Sequence, residues 1–295
     1  MVSNSLKNLI IKGISLFSLV RGVNLFVLVL AQFVSAFFLF APQYNGISIL
    51  FDFNFWMIVV ATSLSVASGY ILNAFFDEEK DLINRPQKTL LERNVSAQTK
   101  LVVYFVLIFF ALVSASYVSF RAIIFFAVYI GAMALYSVFI KRFLFVGNLT
   151  SALLTILPFF AVTVYFRNFS LEIFTHAAYL FLLISMRELI KDLQNLKGDF
   201  SHRYQTIPGV FGERITKQFF TFLVLCAYGV VFLLFQFFPL QSMALYFIFA
   251  LISLSVCTSI LWFTHSQKTL SFIHLGIKLI ILIGILSLPL LRISL

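Results

Sequence analysis

Nine long apolar stretches, at 23–41, 55–76, 99–119, 122–140, 146–166, 173–191, 215–236, 241–263 and 271–291, set the terms on which this chain can fold. A helix needs about 17–25 such residues to cross a bilayer. In lipid, backbone N–H and C=O groups must be paired inside a helix or a closed barrel, so runs of this length read as helices. The expected fold class is all-α: a polytopic membrane bundle of nine transmembrane helices, forming one domain over 1–295. Residues 1–22 form an interfacial N-terminal segment, because Lys7, Lys12 and Arg21 lie among Leu6, Leu9, Ile10, Ile11, Ile14 and Phe17. A cleavable leader is disfavoured, since the apolar run continues past the weak small-residue site at Val34, Ser35 and Ala36. Composition excludes a soluble domain. The chain is 61% hydrophobic and 11% charged, where a soluble domain carries about 25% charged residues. Cys226 and Cys257 fall inside apolar runs, in no disulfide or zinc pattern.

Charge is distributed by side. Eighteen of the 21 Lys and Arg residues fall on one side: at the N-terminus, in the loops after the second, fourth, sixth and eighth stretches, or within the stretches that flank those loops. Arg121, Arg167 and Arg292 fall opposite. The positive-inside rule then makes the basic side cytoplasmic, with the N-terminus in and the C-terminus out. The expected location is the cell's inner or plasma membrane. Nearly all the acids share the basic side, and only Asp52 and Glu172 do not. Topology accounts for the Lys and Arg but not for the acids. A net charge of +10, dispersed over loops rather than one polar domain, suits a polyanionic ligand better than nucleic acid.

Two polar ladders stand out. Asn73, Asp77 and Asp81 are spaced by four, so on one continuous helix they stack along a single face. Gly69 and Ser65 continue that face inward and are small enough for a neighbour to approach. An amide beside a carboxylate at the mouth of a membrane span is costly and marks a polar cavity. Glu188, Asp192, Asn195 and Asp199 form the second ladder, at offsets that also keep to one helical face. Arg187 and Lys191 flank it, and Gly198 can end or bend the helix. Oxygen donors of this kind suit Mg2+, which is held by one or two carboxylates and completed by substrate phosphate. Nearby Lys and Arg would take the remaining phosphate oxygens. The implied ligand is a diphosphate with a hydrocarbon tail.

Asn73, Asp77 and Asp81, followed by Asn84, Arg85, Pro86, Lys88, Arg93 and Ser96, resemble the first signature of the UbiA superfamily of intramembrane prenyltransferases. Asp192 to Asp199 sits where that family has its second Asp-rich motif. Tyr136, Lys141, Gly147 and Asn148 resemble its element between helices four and five, and Arg21 and Asn24 its pair at the start of helix one. Asn195 stands where the family usually has an Asp, and Gln205 where many relatives are basic or carry a Gly-Arg turn.

The resemblance implies Mg2+-dependent prenyl transfer from a polyprenyl diphosphate, with geranylgeranyl favoured, to a lipophilic acceptor. It implies catalytic roles for Asn73, Asp77, Asp81, Asp192 and Asp199, with Asn195 joining them as a metal ligand. Arg85, Lys88, Lys141, Arg187 and Lys191 would bind diphosphate, and Tyr136, Asn24 and Arg21 would lie towards the acceptor. The second motif looks most like the branch that prenylates geranylgeranylglyceryl phosphate, a glycerol-phosphate ether lipid. The alternative is an aromatic acceptor of homogentisate, 4-hydroxybenzoate, naphthoate or tetrapyrrole type. From other classes, a transporter would line a path through the bilayer with charge, and a non-catalytic membrane partner would tolerate Asn195. Neither accounts for acids gathered on one side. His176, His202, His265 and His274 are scattered, and His202 and Tyr204 follow the second motif.

Overall fold

The computed structural model describes residues 4–202, 204–263 and 266–293, with side chains from 10 onward. Arg203 and His265, residues 1–3 of the N-terminal segment, and the Lys7 side chain lie outside that description. Every regular element among the described residues is helical. Nine are long and apolar enough to cross a membrane: Gly22–Phe40, Phe53–Phe76, Ala97–Val118, Phe120–Val138, Val146–Phe166, Leu171–Ser201, Ile207–Phe237, Gln241–Phe263 and Gln267–Arg292. They match the nine expected stretches one for one. Exposed Phe105, Phe109, Phe222, Phe232 and Phe272 are what lipid-facing positions of an integral membrane protein require.

The chain divides into two compact units. One holds Met1–Leu30 and Asp52–Ile140, the other Ala31–Phe51 and Lys141–Leu295. The first unit contains α1 (Asn4–Leu19), α4 (Phe53–Phe76), α5 (Glu78–Asn84), α6 (Pro86–Glu92), α7 (Ala97–Val118) and α8 (Phe120–Val138). The second contains α3 (Gly46–Leu50), α9 (Val146–Phe166), α10 (Leu171–Ser201), α11 (Ile207–Phe237), α12 (Ala244–Phe263) and α13 (Gln267–Ser287). The boundary at Leu30 falls within α2 (Gly22–Ser35).

Each unit is organised around one helix. In the first, α7 and α8 both pack on α4. Gly69 lets α8 come close: a Cβ there would stand 2.8 Å from the Met133 sulfur. In the second, α9, α11 and α13 all pack on α10. Burial follows. In their most apolar stretches α4 is 61% buried and α10 is 50% buried, whereas α7 is 17% buried and faces outward. The second polar ladder therefore sits on the central helix of its unit, and the first starts on the central helix of the other, at Asn73.

Three local expectations change. Asn73, Asp77 and Asp81 do not share an unbroken helix. The α4 helix ends at Phe76, and Asp77 (φ −97°, ψ 4°) bends the chain into α5. The i→i−4 hydrogen bonds still cross the bend, from the Asp77 N–H to the Asn73 carbonyl at 2.9 Å and from the Asp81 N–H to the Asp77 carbonyl at 2.7 Å. Gly198 does not end its helix, because α10 runs on to Ser201 and keeps the second ladder fully helical. A short helical stretch from Ile207 precedes the seventh span, and the non-helical Gly212 (φ 79°, ψ 174°) separates the two. That backbone conformation is nearly closed to residues with a Cβ.

The N-terminal segment forms α1. Its Ser15 hydroxyl donates to the Leu91 carbonyl at 2.8 Å, while Ile10, Ile14 and Phe17 remain exposed. One side of the helix is thus fixed to α6 and an apolar side is left outward, as an interfacial helix requires.

Candidate functional site

In the first unit the polar centre begins at the end of α4. Asp77 is only 4% exposed, and Lys80 stands 3.5 Å from its carboxylate. Asn73 and Asp81, one turn either side, are half-buried. Beyond Asp81, Pro86 forbids its predecessor the helical backbone. Arg85 accordingly takes φ −145°, ψ 61°, and a new helix starts.

Cations gather around this turn. The Arg21 guanidinium lies 4.7 Å above the Tyr70 ring, placing the junction between α1 and α2 against α4. Lys88 pairs with the buried Glu92 at 3.3 Å, and the Ser18 hydroxyl donates to the same carboxylate at 2.8 Å. Burial pushes the Lys88 ammonium below the usual lysine range, and the charge of Arg21 pushes it further. Glu92 opposes the shift and Arg85 adds a smaller repulsion. Arg21, Arg85 and Lys88 are thus close enough to feel one another. Like charges held together in a partly dry place suit a multiply charged anion. Arg21, expected on the acceptor side, belongs to this cationic group. Asn24 is exposed at the start of α2, and Tyr136 is half-buried near the end of α8.

The second unit's polar centre lies on the last four turns or so of α10. Glu188, Asn195 and Asp199 are buried and Asp192 is half-buried, so the expected single face is the inward one. Glu188 receives Arg187 at 2.9 Å and Lys191 at 2.7 Å. Both flanking cations are therefore gripped by a carboxylate between them. Asn148, in the first turn of α9, donates to Asp192 at 2.9 Å. Lys141 is 9% exposed, and its ammonium lies 6.0 Å from the centre of the Tyr204 ring, with Arg142 at 5.8 Å. Gly147 permits this corner, since a Cβ there would stand 3.0 Å from the Lys141 carbonyl oxygen. Asp199, Tyr204, Gln205 and Thr206 border an open hollow of about 580 Å³.

The donor chemistry fits magnesium of one kind only. Among the described residues no three Asp, Glu, His or Cys side chains converge into a metal cage. The donors are oxygens throughout, in ladders that offer a carboxylate or two at a time. That matches a magnesium ion that keeps water and takes substrate phosphate, rather than an all-protein site.

Three contributors act in roles the sequence did not assign them: Glu188, which fixes two cations; Asn148, which orients Asp192; and Tyr204, which lies beneath two cations. Glu188 was legible, since it shares the ladder's face and is one and three residues from its cations. Tyr204 was not, because its partners are over sixty residues away in sequence.

Comparison with known proteins agrees with this arrangement. Residues 29–273 match the UbiA prenyltransferase family model. Curated relatives include the digeranylgeranylglyceryl phosphate synthases of Thermococcus gammatolerans, 28% identical over 63% of this chain and 65% of the relative, and of Pyrococcus furiosus, 31% identical over 59% and 62%. The matched stretch thus spans somewhat under two thirds of each relative. A solved digeranylgeranylglyceryl phosphate synthase structure superposes with a TM-score of 0.69 at 20% identity, covering 93% of this chain and 96% of that one. A UbiA homologue from Archaeoglobus fulgidus bound to GPP and Mg2+ also superposes with a TM-score of 0.69, at 12% identity and 93% and 99% coverage. At these identities the structures speak for the fold, and the family model, matching most of the sequence, speaks for descent. The chain belongs to the UbiA prenyltransferase family.

Proposed function

We propose that this protein is a magnesium-dependent prenyltransferase that moves an isoprenyl group, geranylgeranyl by preference, from its diphosphate to a glycerol-phosphate ether lipid such as geranylgeranylglyceryl phosphate. The observation that carries the reading is a buried Asp77 at the end of α4, in the same unit as a cationic group of Arg21, Arg85 and Lys88 in which Arg21 lies over Tyr70 of that helix. Acid to recruit a divalent ion and base to hold phosphate oxygens occur together there. The GPP and Mg2+ held by the A. fulgidus homologue and the activity named for the curated relatives support it.

Asp77, Asp81, Asp192 and Asp199 would hold the ion directly or through water, with Asn73 and Asn195 as neutral oxygen ligands. When bound, magnesium supplies positive charge that stabilises the departing diphosphate. Arg85, Lys88, Lys141, Arg187 and Lys191 are assigned to diphosphate binding, and Arg21 is added to them. Glu188 keeps Arg187 and Lys191 in place. The allylic C–O bond breaks, its electron pair leaves with the diphosphate, and an acceptor hydroxyl oxygen forms the new C–O bond and loses its proton. Asn24 and Tyr136 are assigned to the acceptor side. The lipid-embedded helices keep water from the allylic cation, which water would otherwise quench. Both ladders are assigned to one reaction on the strength of the family motifs, within one functional domain. The chemistry faces the cytoplasm, in the cell's inner or plasma membrane, with the N-terminus in and the C-terminus out.

The test is incubation of purified protein with geranylgeranyl diphosphate and a panel of acceptors, with products read by mass. Prenylated glycerol-phosphate lipid is the expected product. If only a phenolic acid were prenylated, the acceptor would be reassigned and the transfer chemistry would stand.

A further inference from the structure

The end of α1 reaches the cationic group of the first unit by two routes. Arg21 joins it directly, in the left-handed backbone (φ 51°) that turns α1 into α2. Ser18, in the last turn of α1, reaches it through a side chain of α6. Its hydroxyl donates to Glu92 Oε1 at 2.8 Å, and the Lys88 ammonium stands 3.3 Å from the same oxygen. Ser15, one turn earlier, donates to the Leu91 carbonyl at 2.8 Å. The α1 helix is thus tied to the end of α6 at two successive points.

Lys88 needs such an anchor. Its side chain is 36% exposed and has the rotamer freedom of a long flexible stem. Arg21 and Arg85 repel it, while Glu92 attracts it. Released, the ammonium would swing away from the two guanidinium groups into water. Glu92 has little freedom of its own. It is 6% exposed, and the Ser18 hydroxyl fixes the oxygen that meets Lys88. A lysine ammonium carries three protons, so the one turned to Glu92 leaves two for phosphate oxygens. Held this way, Lys88 has less freedom to lose when diphosphate binds.

We propose that Ser18 is a positioning residue of the diphosphate site: through Glu92 it holds Lys88 where phosphate meets it, which makes α1 part of the binding machinery and more than a surface anchor. The inference rests on the reading of Lys88 as a diphosphate contact. It also accounts for Glu92, which belongs to neither carboxylate ladder. A buried acid beside an anion site repels the ligand, and its use as the arm that keeps a lysine within reach offsets that cost.

The experiment is titration calorimetry of the full-length protein in lipid nanodiscs with geranylgeranyl diphosphate and Mg2+, without acceptor, on variants checked for monodispersity. Ser18→Ala leaves every charge in place and should weaken binding about fivefold, the order of immobilising one long side chain. Ser18→Thr keeps the hydroxyl and should restore the affinity. Lys88→Ala should weaken binding about tenfold or more, as the loss of a charge-assisted contact. In the Lys88→Ala background, Ser18→Ala should change nothing further, because the path from Ser18 to the ligand ends at Lys88. Glu92→Asp keeps the charge but shortens the arm. It should repeat the pattern of Ser18→Ala, and it decides the matter if Ser18→Ala does not fold. If Lys88→Ala weakens binding but Ser18→Ala and Glu92→Asp do not, or if their full effect persists without Lys88, the inference is overturned and the diphosphate reading stands. If Lys88→Ala leaves binding unchanged, that reading of Lys88 falls and takes the inference with it.

Discussion

Lys88 gives up its proton more readily than an ordinary lysine because it is partly buried and shares its surroundings with Arg21 and Arg85. Its folded pKa lies below the unfolded value of about 10.4. As pH rises between the two, the folded state binds fewer protons than the unfolded state, so this group's unfavourable contribution to stability is relieved across that window. For diphosphate binding the sign is opposite, since the charge that attracts phosphate is lost. Diphosphate affinity is expected to weaken on the alkaline side at lower pH than a normal lysine predicts. Lys88→Arg should shift that limb upward, as titration calorimetry with geranylgeranyl diphosphate would show. Glu188 is the other residue that decides much. It is buried and holds two cations at 2.9 and 2.7 Å. Glu188→Gln would leave both with no counter-charge at that point, a loss of about 3 kcal/mol, measurable by denaturant unfolding in detergent. The cations are a quarter to a third exposed, so water softens the loss towards that figure rather than above it. The acids of both ladders were legible because carboxylates are rare in so apolar a chain. Which cation each acid holds was less legible, because side-chain reach and burial decide it.

At the level of elements, Glu78 ties the short α5 to the start of α7 through Lys100 at 2.7 Å and to the end of α6 through Arg93 at 2.9 Å. The hydrogen bond from Lys100 holds its carboxyl below the usual range against the opposing effect of burial, and Arg93 adds to the depression. A depressed carboxylate contributes stability above its unfolded pKa of about 4.3, and that contribution is lost as pH falls through the lower folded value. Glu78→Gln should therefore be less stable near neutrality and show a flatter acid limb in a plot of melting temperature against pH. Gly212 is a second element-level test. Nothing lies within 4 Å of a Cβ built there, so Gly212→Ala is strained by its backbone alone and should cost about 1–3 kcal/mol. Span number and order were readable from hydropathy. The bend at Asp77, the continuation of α10 through Gly198 and the break at Gly212 were not. In α10 tertiary packing overrides a glycine's local weakness. At Asp77 a four-residue spacing cannot distinguish one helix from two joined by a tight bend.

For the molecule as a whole, apolar surface places it in a membrane, and charge asymmetry is the ground for the proposed orientation. A C-terminal alkaline phosphatase fusion is expected to be active and a C-terminal green fluorescent protein fusion dark. The reverse pair would overturn the orientation. The family fold was legible in the sequence because two motifs recur at fixed distances along a nine-span pattern. The division into two units, each around its own ladder-bearing helix, was not, because long-range helix packing leaves little trace in local periodicity. The most direct test of the proposed function is geranylgeranyl transfer by the purified protein, read by product mass, with magnesium present, with magnesium chelated, and in Asp77→Asn and Asp192→Asn variants shown to be folded. The expected result is transfer with magnesium and a loss of about 100-fold or more under chelation and in each variant. Transfer that persists undiminished without magnesium and in both variants would contradict it.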